Sequence, residues 1–370
     1  MPNSIADKPL IARTQENLNR AKKPTLKTPL GQRLIGYAAL SAFLLLLQGA
    51  SIPIGVKNLN SADLAIMAEA APPPPPINLK VSLDQLRDKL AQVSAVKNLH
   101  AGVFVSDQST GRYVDVNGHE SFPAASMIKV PVFVALLNAI DEGRIKPDQL
   151  LEIRQDLITG GSGWLQWRPV GSKISVRDTA DLMITISDNT ATNMLIDALG
   201  GIQSCNLGFQ QWGLANTRIN NWLGDFQGTN TTSPYDLVYL LARIDRGEIL
   251  APASKQWMYQ TMSRTKIRTL LPPGLGPGAK IAHKTGDIAS MVGDVGIVTV
   301  PGGEKYFVSV QVTRPRNDRR ANLLIRSLSK MIYECFSTDS IDCAEVAAVP
   351  LESMNETPSP HHHHRRHRHG

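Results

Sequence analysis

Three short motifs constrain this chain more than its length does: Ser126-Met127-Ile128-Lys129, Ser187-Asp188-Asn189 and Lys284-Thr285-Gly286, in that order. Their side chains are useful together only if the fold brings them to one place. Ser and Lys three apart on a helix share a face, so Lys129 can reach the Ser126 oxygen. Lysine is a poor base at its ordinary pKa of about 10.4. Burial and a second cation, Lys284, would both push it down. Ser187 adds a hydroxyl relay. Such a set suits attack on an amide carbonyl through a covalent acyl intermediate.

An S-x-x-K pattern alone carries no weight, because it starts here at Ser94, Ser126, Ser263 and Ser327. Ser-Asp-Asn and Lys-Thr-Gly each occur once, and Ser126 precedes both with room for a helical subdomain between. Phe122-Pro123-Ala124-Ala125 leads into Ser126, Asn189 runs into Thr190-Ala191-Thr192-Asn193, and His283 precedes Lys284. With these words, residues 78–338 resemble the class A β-lactamases and their penicillin-recognising relatives.

The resemblance implies a two-lobed α/β (α+β) fold of the serine β-lactamase/D,D-peptidase type. An antiparallel sheet built from both chain ends would meet an all-α lobe, with the active site in the groove between. Ser126 would be the nucleophile, Lys129 its proton acceptor and Ser187 the relay to the leaving nitrogen. Lys284 and Thr285 would grip a substrate carboxylate, Gly286 would let the substrate backbone come close, and Asn189 would donate to the substrate amide oxygen. Asp188 would turn its carboxylate onto local backbone. The backbone N–H groups of Ser126 and Asp287 are the natural oxyanion donors. Trp164, in Gly160-Gly161-Ser162-Gly163-Trp164, is either an aromatic wall for substrate or a core tryptophan. Arg314 and Arg316 read as solvated charges rather than as a second carboxylate clamp.

The local signals agree with that plan. Ser82-Leu83-Asp84-Gln85 has the form of a capping box, followed by Leu83, Leu86, Leu90 and Val93 at helical spacing. Gly102–Ser106 with Tyr113–Val116, and Val295–Val300 with Tyr306–Val312, read as hairpins. Ser126 should open a helix through Val130, Val132 and Leu136. Ser187-Asp188-Asn189 should join helices over Thr179–Ile186 and Ala191–Leu199. Lys284 should lie on an edge strand, and Ala321–Phe336 should form a terminal amphipathic helix.

The net charge of +7 misleads, because residues 1–33 carry +5 and the His/Arg-rich residues 361–370 carry +3. The body between is nearly neutral, so nucleic acid is not an expected partner. Residues 34–56 form an uncharged run of 23 behind that basic leader, long enough to span a bilayer with the rest exported. It is a membrane anchor or a signal segment; the anchor is favoured because no small-residue cleavage site directly follows Val56. Residues 57–77 contain five consecutive prolines, Pro72–Pro76, which suit a stiff spacer. An inner-membrane-anchored or secreted bacterial protein with a monomeric catalytic domain is expected, followed by a tail over 339–370. Cys335 and Cys343 are the candidate disulfide, leaving Cys205 as a small buried hydrophobe. No cysteine or histidine cluster has metal-ligand spacing outside the tail, and no cofactor is implied.

One departure from the family matters. Class A β-lactamases carry a glutamate between the second and third motifs that activates the deacylating water. In residues 217–228 no glutamate appears, and Asp225 is the one carboxylate. Three readings follow: a slow β-lactamase, a D,D-peptidase acting on peptidoglycan stem peptides, or a non-catalytic β-lactam- or wall-binding protein.

Overall fold

The computed structural model describes residues 76–338 and Cys343. The expectations for residues 1–33, 34–56, 57–75 and the tail apart from Cys343 lie outside the described residues. Among the described residues, no helix is long and apolar enough to cross a membrane.

The strands are β1 (Val81–Ser82), β2 (His100–Ser106), β3 (Arg112–Val116), β4 (Phe122–Pro123), β5 (Leu150–Glu152), β6 (Lys173–Ser175), β7 (Thr231–Thr232), β8 (Lys280–Ile288), β9 (Met291–Thr299) and β10 (Lys305–Thr313). The helices are α1 (Asp84–Ser94), α2 (Lys129–Asp141), α3 (Val176–Thr185), α4 (Asn189–Ala198), α5 (Ile202–Gln211), α6 (Pro234–Asp245), α7 (Pro252–Ser263) and α8 (Arg320–Phe336). Six strands form the main sheet in the order β1-β3-β2-β10-β9-β8. Strands from the two chain ends meet where β2 pairs antiparallel with β10, Phe104 opposite Ser309. The sheet is antiparallel apart from the short parallel pairing of β1 with β3. Short ribbons β4-β7 and β5-β6 stand apart from it.

Period-two alternation sorts the sheet residues into two cores. Val103, Val105, Val308 and Val310 face α1 and α8, whereas Phe104, Val295, Ile297 and Phe307 face the helical lobe. Both faces are covered, which explains why β9 and β10 read as nearly continuous apolar runs. Each fully buried Val, Leu or Phe contributes roughly 1.5–3 kcal/mol.

Helix α2 is the axis of the helical lobe. Its sequence, KVPVFVALLNAID, is buried almost all round, as an apolar helix inside a domain must be. Pro131 is tolerated there because it falls in the first turn. The helix begins at Lys129, so its one lysine enters a region otherwise reserved for hydrocarbon. The expected α8 amphipathic helix is present, and Cys335 is bonded to Cys343. Cys205 is free and buried.

Two local expectations are corrected. The capping box does not form: α1 starts after Leu83, and Ser82 Oγ donates to the Asp84 carboxylate at 2.7 Å instead of capping a backbone N–H. Ser82 is committed to pairing with Tyr113 in the sheet, and that register overrides the local cap. Ser126 lies in a separate 3₁₀ turn, Ala125–Ile128, that precedes α2.

Candidate active site

Four elements converge on Ser126: its own 3₁₀ turn, the start of α2, the loop before α4, and β8 at the sheet edge. Lys129 and Lys284 are both fully buried. Lys129 Nζ lies 3.1 Å from Ser126 Oγ, 3.0 Å from Ser187 Oγ, 2.6 Å from the Ser187 carbonyl and 2.7 Å from Asn189 Oδ1. An ammonium has three protons for these four oxygens. A neutral amine also makes three: it can donate to the two oxygens that can only accept, Ser187 O and Asn189 Oδ1, and offer its lone pair to one serine hydroxyl. Burial first, and the Lys284 charge second, hold the Lys129 pKa well below its ordinary value, with Asp188 partly opposing.

Lys284 Nζ donates to Ser187 Oγ at 3.0 Å and to the Thr285 carbonyl at 2.7 Å. Burial lowers its pKa to about 7, while the Asp294 carboxylate pulls the other way. Asp294 is itself held by His283 Nδ1 at 2.9 Å and by the Leu271 N–H at 3.1 Å. Ser187 therefore bridges both lysines, as a relay must.

Backbone strain is concentrated here. Ala125, directly before the serine, has φ +43°, and Ser187 has φ +61°. Neither is glycine, so both conformations are held by their surroundings. Asp188 is what pins the second motif. One oxygen accepts from Ala191 N at 2.9 Å and caps α4; the other accepts from Trp164 N at 2.8 Å and Leu165 N at 2.9 Å. The expected structural role of Asp188 is thus observed. It requires Gly163: a Cβ there would stand 2.2 Å from the Asp188 carboxylate, and φ is +97°. Gly286 has a packing reason of its own. A Cβ at Gly286 would meet Ala125 and Met127 at 3.1 Å and the Ala124 carbonyl at 3.2 Å, so glycine lets β8 press against the turn carrying Ser126.

A cavity of about 220 Å³ opens beside Ser126, walled by Gly161, Ser162, Asn189, Leu223, Phe226 and Ile288. Asp225 and Asp287 also reach it. Asp225 is engaged within its own loop: its oxygens accept from Thr229 Oγ1 at 2.9 Å and from Asn230 N at 2.7 Å, and the residue is 6% exposed. The Asp287 carboxylate pairs with Arg314. Thr285 adjoins Lys284 on β8 and is 4% exposed. Asn189 Nδ2 donates to the Gly160 carbonyl at 3.0 Å, steadying the opposite wall.

Two expectations give way. Trp164 does not line this cavity. It is 45% exposed and faces a neighbouring surface hollow with Arg168 over its ring, because its backbone, not its indole, is tied to the site. It is therefore neither core nor wall to Ser126. Arg314 is not solvated: its side chain is 3% exposed, locked between Asp287 and Asn322. Leu223 and Phe226 went unnoticed in the sequence, since apolar residues in a loop carry no chemical signal there.

The comparisons with known proteins agree with this geometry. The sequence model described as the β-lactamase enzyme family matches residues 85–336. The solved structure of PBP-A is 48% identical, covering 72% of this chain and 98% of that one with a TM-score of 0.68. A leucine-to-glutamate mutant of PBP-A, solved as an acyl-enzyme complex with penicillin G, matches at the same 48% identity, covering 71% of this chain and 99% of that one, with a TM-score of 0.69. Among curated relatives, β-lactamase CARB-4 of Pseudomonas aeruginosa is 29% identical over 275 residues, 69% of this chain and 92% of that one. Fold, motif geometry and these likenesses converge: the chain belongs to the β-lactamase enzyme family, within the superfamily of serine β-lactamases and penicillin-binding proteins.

Proposed function

We propose that the chain is a penicillin-binding serine acyl-enzyme of the D,D-peptidase type, acylated at Ser126 by β-lactams and by peptidoglycan stem peptides and slow to release the acyl group to water. One observation carries this reading: both carboxylates that reach the Ser126 cavity are already engaged by neighbouring groups. Asp225 accepts from Thr229 and Asn230, Asp287 is paired with Arg314, and the apolar Leu223 also lines the cavity. The 48% identity to PBP-A supports the same choice.

In this mechanism Lys129 takes the Ser126 proton as Oγ attacks the carbonyl carbon. The amide N–H groups of Ser126 and Asp287 stabilise the oxyanion. Ser187, polarised by Lys284 at 3.0 Å, returns a proton to the leaving nitrogen. Lys284 and Thr285 hold the substrate carboxylate. A general base is worth about 10²–10⁴-fold, so its absence from the water side leaves acylation intact and hydrolysis slow. The leader and the apolar run over 34–56 support export and tethering at the inner membrane, facing the cell wall. No metal or cofactor enters the mechanism.

Multiple-turnover β-lactam hydrolysis is the second reading, favoured by curated relatives such as CARB-4 that are β-lactamases. A chromogenic cephalosporin and a synthetic N-acyl peptide ending in D-alanyl-D-alanine separate the two. The first reading expects a colour burst matching the enzyme concentration, then near-arrest, together with release of D-alanine. Sustained hydrolysis of the cephalosporin without D-alanine release would establish the second.

A further inference from the structure

Among the described residues, most of the large apolar side chains left exposed lie in one stretch: Leu150, Trp164, Trp167 and Val170. Trp167 is 81% exposed and Trp164 is half so. Neither is exposed through looseness. Trp164 N and Leu165 N donate to Asp188 at 2.8 and 2.9 Å, and Leu165 is buried. Gln166 Nε2 donates to the Gly161 and Gly163 carbonyls at 3.1 and 2.9 Å. Trp167 N donates to the Trp164 carbonyl at 3.0 Å, within the 3₁₀ turn Leu165–Trp167. Residues three apart in such a turn fall on one side. Two indoles are therefore held in water on a fixed backbone, the kind of apolar patch that marks a binding surface.

Beside Trp164 lies a hollow of about 540 Å³, lined also by Leu150, Arg168, Lys173, Asp178 and Asp181. The Arg168 guanidinium stands 6.0 Å from the Trp164 ring centre. Asp178 accepts from Ser175 Oγ at 2.7 Å, and Asp181 from Thr261 Oγ1 at 3.0 Å and Arg264 at 2.8 Å. The lining balances two cations against two carboxylates next to an aromatic face. That combination suits a pyranose ring. Its apolar C–H faces pack on indole, while its hydroxyls and N-acetyl group both donate and accept hydrogen bonds. An anionic lipid surface would select lysines and arginines without carboxylates.

The hollow is continuous with the acylation site. Gly161 and Ser162 wall the Ser126 cavity, and Trp164 follows in the same loop. Two residues span at most about 7 Å, so the step from one site to the other is short. The connection is also made by hydrogen bonds: Lys129 Nζ joins Ser126 to Asn189 Oδ1 at 2.7 Å, and the adjacent Asp188 holds Trp164 N. An extended peptide advances about 3.3–3.6 Å per residue, so a few residues carry a bound chain across.

We infer that Trp164 and Trp167, with Arg168 and Lys173, form a saccharide subsite that takes the N-acetylated glycan to which a stem peptide is attached. The inference rests on the peptidoglycan reading proposed above, and it names the part of that substrate which this face of the molecule recognises. The glycan stacks on the indoles, and its attached peptide runs past Gly161 to Ser126.

The test uses the full-length chain and two substrates with one stem peptide ending in D-alanyl-D-alanine, one N-acetylated and one linked to its N-acetylated disaccharide. D-alanine release should show a kcat/KM about tenfold or more higher for the disaccharide-linked substrate, the scale of one stacked ring. Trp164→Ala with Trp167→Ala should lose that advantage and keep the rate on the sugar-free peptide. Unchanged labelling by benzylpenicillin shows that the variant folds. Light scattering and indole fluorescence on phosphatidylglycerol vesicles are followed alongside. Equal kcat/KM for the two substrates, or an advantage surviving in the double variant, would overturn the subsite and leave the acyl-enzyme reading intact. Self-association or a vesicle-induced blue shift that the variant loses, with the sugar advantage unchanged, would give the patch to a second copy or to lipid and likewise overturn it. No D-alanine release from either substrate would overturn the peptidase reading and the subsite together.

Discussion

The side-chain amide of Asn193 holds both backbone groups of Leu223: Nδ2 donates to the Leu223 carbonyl at 2.6 Å, and the Leu223 N–H donates to Oδ1 at 2.9 Å. Asn193 is in α4, the helix that follows Ser187-Asp188-Asn189, so the helix carrying the end of the relay motif also fixes a wall residue of the Ser126 cavity. Leu223 is a rigidly placed apolar residue where a water-activating group would be useful.

Replacing that residue tests the consequence. Leu223→Glu puts a carboxylate into the cavity on a backbone that Asn193 already positions. The lifetime of the penicilloyl adduct should fall by about 10²-fold or more, within the range of a general base. Burying the new carboxyl should also cost about 1–3 kcal/mol of stability. Adduct decay followed by intact mass, with thermal unfolding alongside, reads both. An unchanged lifetime in a folded variant would mean that the wall is not where water attacks.

Lys284 should be destabilising as well as functional. Its pKa is about 7 in the folded chain against an ordinary 10.5, so between those values the unfolded chain holds a proton that the folded one does not. Stability therefore rises with pH across that window. Lys284→Met removes the burial cost. It should be more stable at pH 7 by about 2–4 kcal/mol, counting roughly 1.4 kcal/mol per unit and subtracting the lost hydrogen bonds. The gain should shrink towards pH 10. Denaturant titrations at pH 7 and pH 10 give the answer, and a variant that is less stable at pH 7 refutes the buried-amine account.

Acylation should have a bell-shaped pH dependence. Lys129 must be neutral to take the Ser126 proton, and its pKa is held down by burial and by Lys284. Lys284 must be charged to bind a carboxylate, and it loses that charge above about 7. The rate should rise with pH on the Lys129 limb and fall on the Lys284 limb. Because the two amines interact through Ser187, both limbs belong to the pair. Second-order acylation constants from pH 5 to pH 10 are the measurement; a monotonic rise to pH 10 contradicts the assigned role of Lys284.

Gly163→Ala should damage the second motif from a distance. The added Cβ would fall 2.2 Å from the Asp188 carboxylate at a φ of +97°, so the Trp164–Asp188 contact has to open. A loss of about 2 kcal/mol or more is expected from strain and unpaired amides, with slower acylation. Unfolding and acylation rates measured together test this, and a neutral effect on both would show that Asp188 has other ways to be satisfied.

The fold was legible where local pattern and tertiary structure agree. The hairpins around Tyr113 and Tyr306 follow from alternation, and Lys129 announces itself as the one charge entering an apolar helix. Ser82 misled because its strand pairing with Tyr113 outranks a cap. Arg314 misled because its partners Asp287 and Asn322 come from β8 and α8, brought together only by the closed sheet. The engagement of Asp225 was hidden for another reason. Its partners Thr229 and Asn230 are near in sequence, but nothing in composition says that a loop folds back on its own carboxylate.

The central claim is a long-lived acyl group on Ser126. Intact-mass spectra of the full-length chain in excess benzylpenicillin, taken over hours while the drug is also followed, test it most directly. A single adduct of one drug mass that persists while little drug is consumed, and that is absent from Ser126→Ala, is the predicted result. Drug consumed over many equivalents, or an adduct retained by Ser126→Ala, would contradict it.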